Sequence, residues 1–395
     1  MAALSGREQA ALRGLLDAIR ADNGSLELRW ENALEAAPRH LFVPPAVWAP
    51  GGDDTYEQVD SQADADRWFR LAYASEPVIT QVNDGQPVTE GSSMLPSSSL
   101  SDPAIVVRML TMLDPRPGQK ILEIGTGAGW NTALLSHAVG PENVLSVEVD
   151  PALTEHATHA LAALGLKPRL MTGDGFLGWP SQAPFRHVLA TCAVNQVPRA
   201  WIEQTETGGT ILTPWNSPWC DYGLLHLTVH PDRTAQGRFS PHSAFMLMRG
   251  QRHDIQLYRD VVSDDHLPTE TTTTLSPWDI AGSDLDAQFA LGLLLPDLWH
   301  AWHPHPVDGV DTRLWIATTD ARSWAAIDHD GMRDDRFTVW QHGPRRLLDE
   351  ITSAWSWFTA RGRPGPGRFG LTATRDQSHY WLDNPGHPLP GFSCA

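Results

Sequence analysis

Cysteine is scarce in this 395-residue chain: Cys192, Cys220 and Cys394 are the whole complement, too few and too scattered for a disulfide framework. Positive charge is the second shortage. Lys and Arg number 29 against 47 Asp and Glu, a formal charge of −18, and no basic block occurs anywhere. Such a surface repels phosphate backbones, which excludes a nucleic-acid partner. Long apolar runs are missing too. Phe289 to Leu295 is stopped by Pro296, far short of a membrane span. The N-terminus lacks the pattern of a secretion signal. Arg7, Glu8, Arg13 and Asp17 interrupt a predicted amphipathic helix, Arg7 to Arg20, whose Ala10, Leu12, Leu15, Leu16 and Ile19 suit one core face. These shortages together point to a cytoplasmic protein without a membrane partner.

Tryptophan is over-used, with 17 residues, many in the second half. Core and inter-domain packing is one reading, since Trp is mostly buried in folded chains. A peptide-binding groove is the other, because aromatic rings give large contact area at low entropic cost.

Residues 1–80 read as helical and loop-rich, and residues 83–100, from Asn83 through Gly85, Gly91 and Pro96 to Leu100, as a polar loop. Alternating signals then run to about Pro214. Strands are expected at 120–124, 144–149, 186–191 and 209–213, with helices near 130–138, 151–164 and 198–206. Strands separated by helices of that length imply a parallel, doubly wound sheet, which two more strands, at 222–229 and 244–249, would close. Beyond about residue 255 the pattern changes. Apolar stretches at 314–318, 324–327 and 337–340 suggest an antiparallel meander, a helix runs from Pro344 to Ala360, and 369–374 with 380–382 form a last hairpin. The expectation is an α/β first domain over 1–250, helical in 1–80, and a smaller α+β second domain over 251–395.

Chemistry enters at residues 121–131, Ile-Leu-Glu-Ile-Gly-Thr-Gly-Ala-Gly-Trp-Asn: a short buried strand that breaks into a glycine turn and enters a helix. Glycines permit positive φ and let a ligand approach the backbone. A second strand, Val144 to Asp150, ends in acid, and Glu148 there can hold both ribose hydroxyls of a nucleoside. In Thr172-Gly-Asp174-Gly175, the Asp could bond an adenine amino group or simply make an Asp-Gly turn. The glycine spacing departs from G-x-G-x-x-G, and no pyrophosphate cue follows. That favours S-adenosylmethionine, with S-adenosylhomocysteine as product, over a dinucleotide enzyme or a purely structural turn.

The order of five segments carries a resemblance: Leu122 to Trp130, then Ser146-Val-Glu148, Gly173-Asp-Gly175, Ala183 to Val188, and Gly208 to Pro214. It resembles the protein-L-isoaspartate O-methyltransferase family. Upstream, Pro38-Arg-His-Leu-Phe-Val-Pro44 is similar to that family's N-terminal segment, and Ser98-Ser-Leu-Ser101-Asp-Pro103 stands where the family has its substrate and cofactor loop. The resemblance spans roughly 30–250 and implies a class I (Rossmann-like) methyltransferase sheet. It also implies roles. Glu123, Gly125, Thr126, Gly127 and Gly129 would wrap the methionine tail, Glu148 would take the ribose, and Asp174 and Gly175 the adenine. Asn131 and Val149 are counted with the cofactor set. Ser101 and Ser99 would act catalytically, and Ser98, Ser99 and Ser101 would meet the substrate.

The family's repair enzymes are short, whereas this chain continues past residue 250 to residue 395. Residues 340–346, Trp-Gln-His-Gly-Pro-Arg-Arg, and the Trp-rich helix after them resemble the C-terminal extension of an actinobacterial branch. That branch modifies ribosomally made peptides (graspetides, lanthipeptides and lasso peptides). The resemblance implies methylation of one Asp of a modified, cyclised peptide, the ester then collapsing to aspartimide, with residues 251–395 recognising the substrate. Isoaspartate repair of damaged proteins is the enzymatic alternative, and a non-catalytic peptide-recognition module the other. An ionised carboxylate is already nucleophilic at neutral pH, so no general base is required. No metal site is expected: His300, His303 and His305 read as a proline-flanked loop, Cys192 as a small core residue, and Arg345 and Arg346 as a solvated helix start.

Overall fold

The computed structural model describes residues 4–52, 55–88, 94–252, 254–375 and 377–392, apart from the side chain of His242. Gly91 and Cys394 lie outside the described residues. The chain divides into two compact units: residues 1–192 with 198–213 and 228–233, and residues 193–197 with 214–227 and 234–395.

The first unit opens with α1 (Gly6–Asn23). Ser5 and Glu8 form a reciprocal capping box at its start, and Gly24 in the left-handed region ends it. After α2 (Leu28–Ala36) comes a small antiparallel sheet of β1 (Ala46–Pro50), β2 (Tyr56–Asp60), β3 (Val78–Val82) and β4 (Pro96–Leu100), in the order β2-β1-β3-β4, with α3 (Ala65–Ala72) between β2 and β3. Two expectations are corrected here. Residues 1–80 hold three strands, and the serines of the supposed 83–100 loop lie on a strand, because β4 pairs with β3 from Val78↔Leu100 to Val82↔Pro96.

Then α4 (Pro103–Leu113) leads into the parallel strands β5 (Ile121–Ile124), β6 (Val144–Glu148), β7 (Arg169–Thr172), β8 (Phe185–Ala190) and β9 (Thr205–Pro214). They run in the order β9-β8-β5-β6-β7 and alternate with α5 (Trp130–Val139), α6 (Pro151–Ala163) and α7 (Arg199–Gln204). All residues of β5 and β6 are buried, as central strands covered on both faces must be. The strand reversal between β5–β6 and β5–β8 is where open parallel sheets bind ligands.

The second unit holds most of β10 (Tyr222–Val229) and then β11 (Ala235–Ala244), which lie with β17 (Phe369–Ala373) and β18 (Ser378–Leu382) in the order β10-β11-β17-β18. Its other sheet is β12 (Thr269–Thr273), β13 (Leu298–Val307), β14 (Val310–Thr318), β15 (Trp324–His329) and β16 (Phe337–His342), antiparallel in the order β12-β16-β15-β14-β13. Helices α8 (Pro277–Ala281), α9 (Leu285–Leu294) and α10 (Leu347–Ala360) precede β17 (Phe369–Ala373) and β18 (Ser378–Leu382). Both faces of the five-stranded sheet are apolar. Leu314, Ile316, Ala325 and Ile327 join one core with Ile351 and Ala354 of α10, and Trp315, Ala317, Trp324 and Ala326 join a second.

This unit differs from expectation in four places. The strand awaited at 244–249 is instead β11, held by β17 through Ala235↔Ala373 to Arg238↔Gly370, a pairing no local pattern announces. The second unit therefore takes in chain well before residue 250. His300, His303 and His305 lie on β13 rather than in a loop. Arg345 is not solvated: it bonds Glu350 at 2.6 Å, through a carboxylate that is only 2% exposed, and also pairs with Asp297. Among the described residues no helix is long and apolar enough to cross a membrane.

Candidate active site

The site is built on the carboxyl ends of β5, β6 and β7. Gly125, Gly127 and Gly129 take φ of +93°, +53° and +91°, which L side chains rarely adopt. Space enforces two of the three. A Cβ on Gly125 would come within 2.6 Å of Thr191 Oγ1, and one on Gly129 within 3.0 Å of the Ala157 Cβ on α6. A Cβ on Gly127 would lie 3.8 Å from both Ser98 Oγ and the Ser99 carbonyl, so the glycine turn packs at van der Waals distance against the serine strand.

Two buried carboxylates organise this turn. Glu148, at the tip of β6, accepts from the Gly127 amide at 2.8 Å and from the Asp150 amide at 3.1 Å. Glu123, fully buried at the end of β5, accepts from Asn131 Nδ2 at 2.7 Å and from the hydroxyls of Thr132 and Ser146. Thr126 joins that network through Ser146 at 2.6 Å. Burial pushes the Glu123 carboxyl up to about 7, against the pull of its three donors and with a further push from Glu148.

Asp174 and Gly175 come close through sheet register. Glu148 pairs with Thr172, and the Gly173 amide donates to the Glu148 carbonyl at 2.8 Å. Asp174 itself is exposed and caps a short turn by accepting from the Phe176 amide at 2.9 Å, while the Gly175 carbonyl accepts from the Trp201 indole. Val149 stands 47% exposed beside Glu148. Cys192 is half-buried, two residues past β8.

The serines divide into two kinds. Ser98 is buried and accepts from the Thr80 hydroxyl at 3.1 Å. Ser99 and Ser101 are half-buried, and neither hydroxyl has a hydrogen-bond partner among the described residues. What fixes Ser101 is its backbone, through a residue whose role the sequence reading passed over. Arg39 is 1% exposed and donates to the carbonyls of Ala72, Ala74, Glu76, Leu100 and Ser101. Its burial lowers the guanidinium pKa to about 10. The proline-braced segment around Arg39 was visible as a motif; the cage it builds depends on carbonyls far along the chain.

Gln81 was missed outright. It donates to Asp150 at 2.9 Å and accepts from Ser97 at the same distance, tying the serine sheet to the α6 cap. No sequence signal marks it.

This donor set fits a nucleoside with an amino-acid tail. Three positive-φ glycines shape the turn, carboxylates stand at the ends of β6 and β7, and no phosphate-binding arrangement of the G-x-G-x-x-G kind is present in the turn. Comparison with known proteins agrees. The family model described as protein-L-isoaspartate(D-aspartate) O-methyltransferase matches residues 23–223, a little over half of the chain. Protein-L-isoaspartate O-methyltransferase 2 of Anaeromyxobacter sp. (strain Fw109-5) is 32% identical over 60% of this chain and 77% of its own. Protein-L-isoaspartate O-methyltransferase of Methylorubrum populi is 40% identical over 38% of this chain and 71% of its own. A solved structure titled protein-L-isoaspartate O-methyltransferase shares the fold at 18% identity with a TM-score of 0.51, covering 94% of this chain and all of its own. The chain belongs to the protein-L-isoaspartate O-methyltransferase family, and is an S-adenosylmethionine-dependent carboxyl O-methyltransferase.

Proposed function

We propose that this enzyme methylates the side-chain carboxylate of one Asp in a ribosomally made, modified peptide, and that the ester then closes to aspartimide. The observation that supports the chemistry is the approach of the serine strand to the glycine turn, where Ser98 Oγ and the Ser99 carbonyl lie nearest Gly127, with the uncommitted Ser99 and Ser101 hydroxyls at the end of that strand.

S-adenosylmethionine, when bound, supplies an electrophilic methyl group. Glu148 would bind the ribose hydroxyls and Asp174 the adenine amino group, with Val149 and Gly175 flanking the base. Gly125, Thr126, Gly127 and Gly129 would line the methionine tail, and Glu123 would hold Asn131 in place for it. Ser101 and Ser99 would orient the substrate carboxylate by donating to the oxygen that does not attack, while the buried Ser98 supports the strand. An ionised carboxylate needs no base, so alignment and exclusion of water are the protein's main contributions. Afterwards the backbone nitrogen of the following residue attacks the ester carbonyl. Methanol leaves, and the nitrogen loses its proton. The second unit would supply peptide recognition, and a cytoplasmic location fits a substrate made by the ribosome.

The relatives' names favour a second reading, isoaspartate repair of damaged proteins. The two separate by mass. A modified precursor peptide incubated with enzyme and S-adenosylmethionine should gain one methyl group and then show a net loss of one water. An unchanged precursor alongside a methylated isoaspartyl peptide would sink the first reading and leave repair.

A further inference from the structure

The second unit carries a groove of about 820 Å³ between the end of α10, the end of β18 and the chain that follows. Trp357 and Phe392 form apolar walls, each half-buried against the unit's core. Arg361, Arg368, Asp383 and His387 make its polar edge.

The charges there do not cancel. Arg368 and Asp383 are spent on each other in a two-point pair at 2.8 and 2.7 Å. Arg361 has no carboxylate partner among the described residues. Its guanidinium lies 4.1 Å from the Trp357 ring centroid, with one nitrogen donating to the Trp357 carbonyl at 3.3 Å. Stacking pre-orients the planar donor fork and leaves N–H groups for another acceptor. Two arginines against one aspartate give the edge a formal charge of +1, on a chain that carries −18 overall.

We propose that this groove binds an acidic peptide, one carboxylate on Arg361 and a neighbouring apolar side chain against Trp357 and Phe392. An acidic surface repels such a ligand over most of its area, and a cation without a carboxylate partner beside an apolar wall offers it both a charge and a contact surface. The volume falls in the range of sites that enclose small ligands, which suits a short segment rather than a folded surface. The inference rests on the peptide-methylation reading and gives that substrate a second point of attachment, on the second unit.

The test is fluorescence anisotropy on the full chain with a short fluorescein-labelled peptide of alternating Asp and Leu, and a Lys-for-Asp version as control. The acidic peptide should bind and the basic one should not. Arg361→Glu should weaken binding about tenfold or more, and Arg361→Gln less. Arg361 is exposed, so the thermal melt and cofactor affinity of both variants should match the parent. No binding of the acidic peptide, equal binding of both peptides, or no response to Arg361→Glu would overturn the proposal. Methyl transfer is measured separately. Peptide binding that responds to Arg361 without transfer to any peptide would undo the functional reading alone, and transfer without that binding would undo the groove alone.

Discussion

In the first unit, Arg39 is buried among five carbonyls and Glu123 among an amide and two hydroxyls, all of them neutral partners. In the second, Arg345 lies against Glu350 and Asp297, and Arg313 bonds Asp328 with both ends of its fork. The titration behaviour follows the partners. Neutral cages leave burial dominant, pushing Arg39 down and Glu123 up, each toward its uncharged form. The hydrogen bonds that Arg345 donates to Glu350 instead hold its guanidinium above its ordinary value. Dipoles hold a charge in place without cancelling it, whereas ion pairs cancel it and depend on each other. The first arrangement lies beneath the glycine turn and the serine strand; the second suits a scaffold.

The largest test of this contrast is Arg39→Ala. It strips five carbonyls of their donor and should cost about 4 kcal/mol in denaturant unfolding of the first unit. Arg39→Lys should recover less than half, because an ammonium cannot reach carbonyls spread around a planar fork. A loss under about 1 kcal/mol would show the cage to be ornamental.

Glu123 comes next. Its carboxyl sits at about 7 in the fold against 4.5 as reference, so the fold holds the proton more tightly than the unfolded chain. Its contribution is complete below about 4.5 and is lost as pH rises through about 7, a span of about 3 kcal/mol. Thermal melts of parent and Glu123→Gln should diverge across that window, the parent losing stability with rising pH. Parallel curves would remove Glu123 as the source.

On the ion-pair side, Glu350→Gln leaves Arg345 with Asp297 alone and should cost about 2 kcal/mol, less than a fully orphaned buried charge. An unaltered unfolding midpoint would mean that Asp297 suffices. Glu148→Ala should weaken S-adenosylmethionine binding about tenfold or more, equivalent to about 1.4 kcal/mol, read by calorimetry. Intact affinity would dissociate Glu148 from the ribose. Smallest of all, Ser101→Ala should slow turnover about fivefold with cofactor affinity unchanged; an unaltered kcat would take its hydroxyl out of the reaction.

Legibility in the sequence follows the same divide. The strand, glycine turn and helix of 121–131 are set by residues adjacent in the chain, and the acid at the tip of β6 is equally local, so the α/β sheet and cofactor candidates could be read directly. The serines were visible as residues but not as a strand, since β4 exists only through its pairing with β3. Arg39 stood inside a recognisable motif while its partners lay 33 to 62 residues away. The β11–β17 pairing joins residues more than 130 apart, which is why residue 250 looked like a boundary. A truncation there would leave β11 with β10 but without β17.

The Arg39 cage also has a consequence for the rate of unfolding. Its contacts close loops of 33 to 62 residues, so their entropy must be surrendered before any of the bonds is gained. Bonds absent from the folding barrier change the speed of opening more than the speed of closing, and the two rates of an Arg39 variant read which side of the barrier these bonds belong to. One guanidinium thus ties the end of the serine strand, at Leu100 and Ser101, to Ala72, Ala74 and Glu76, chain 24 to 29 residues before it, so its loss would free several segments together rather than one.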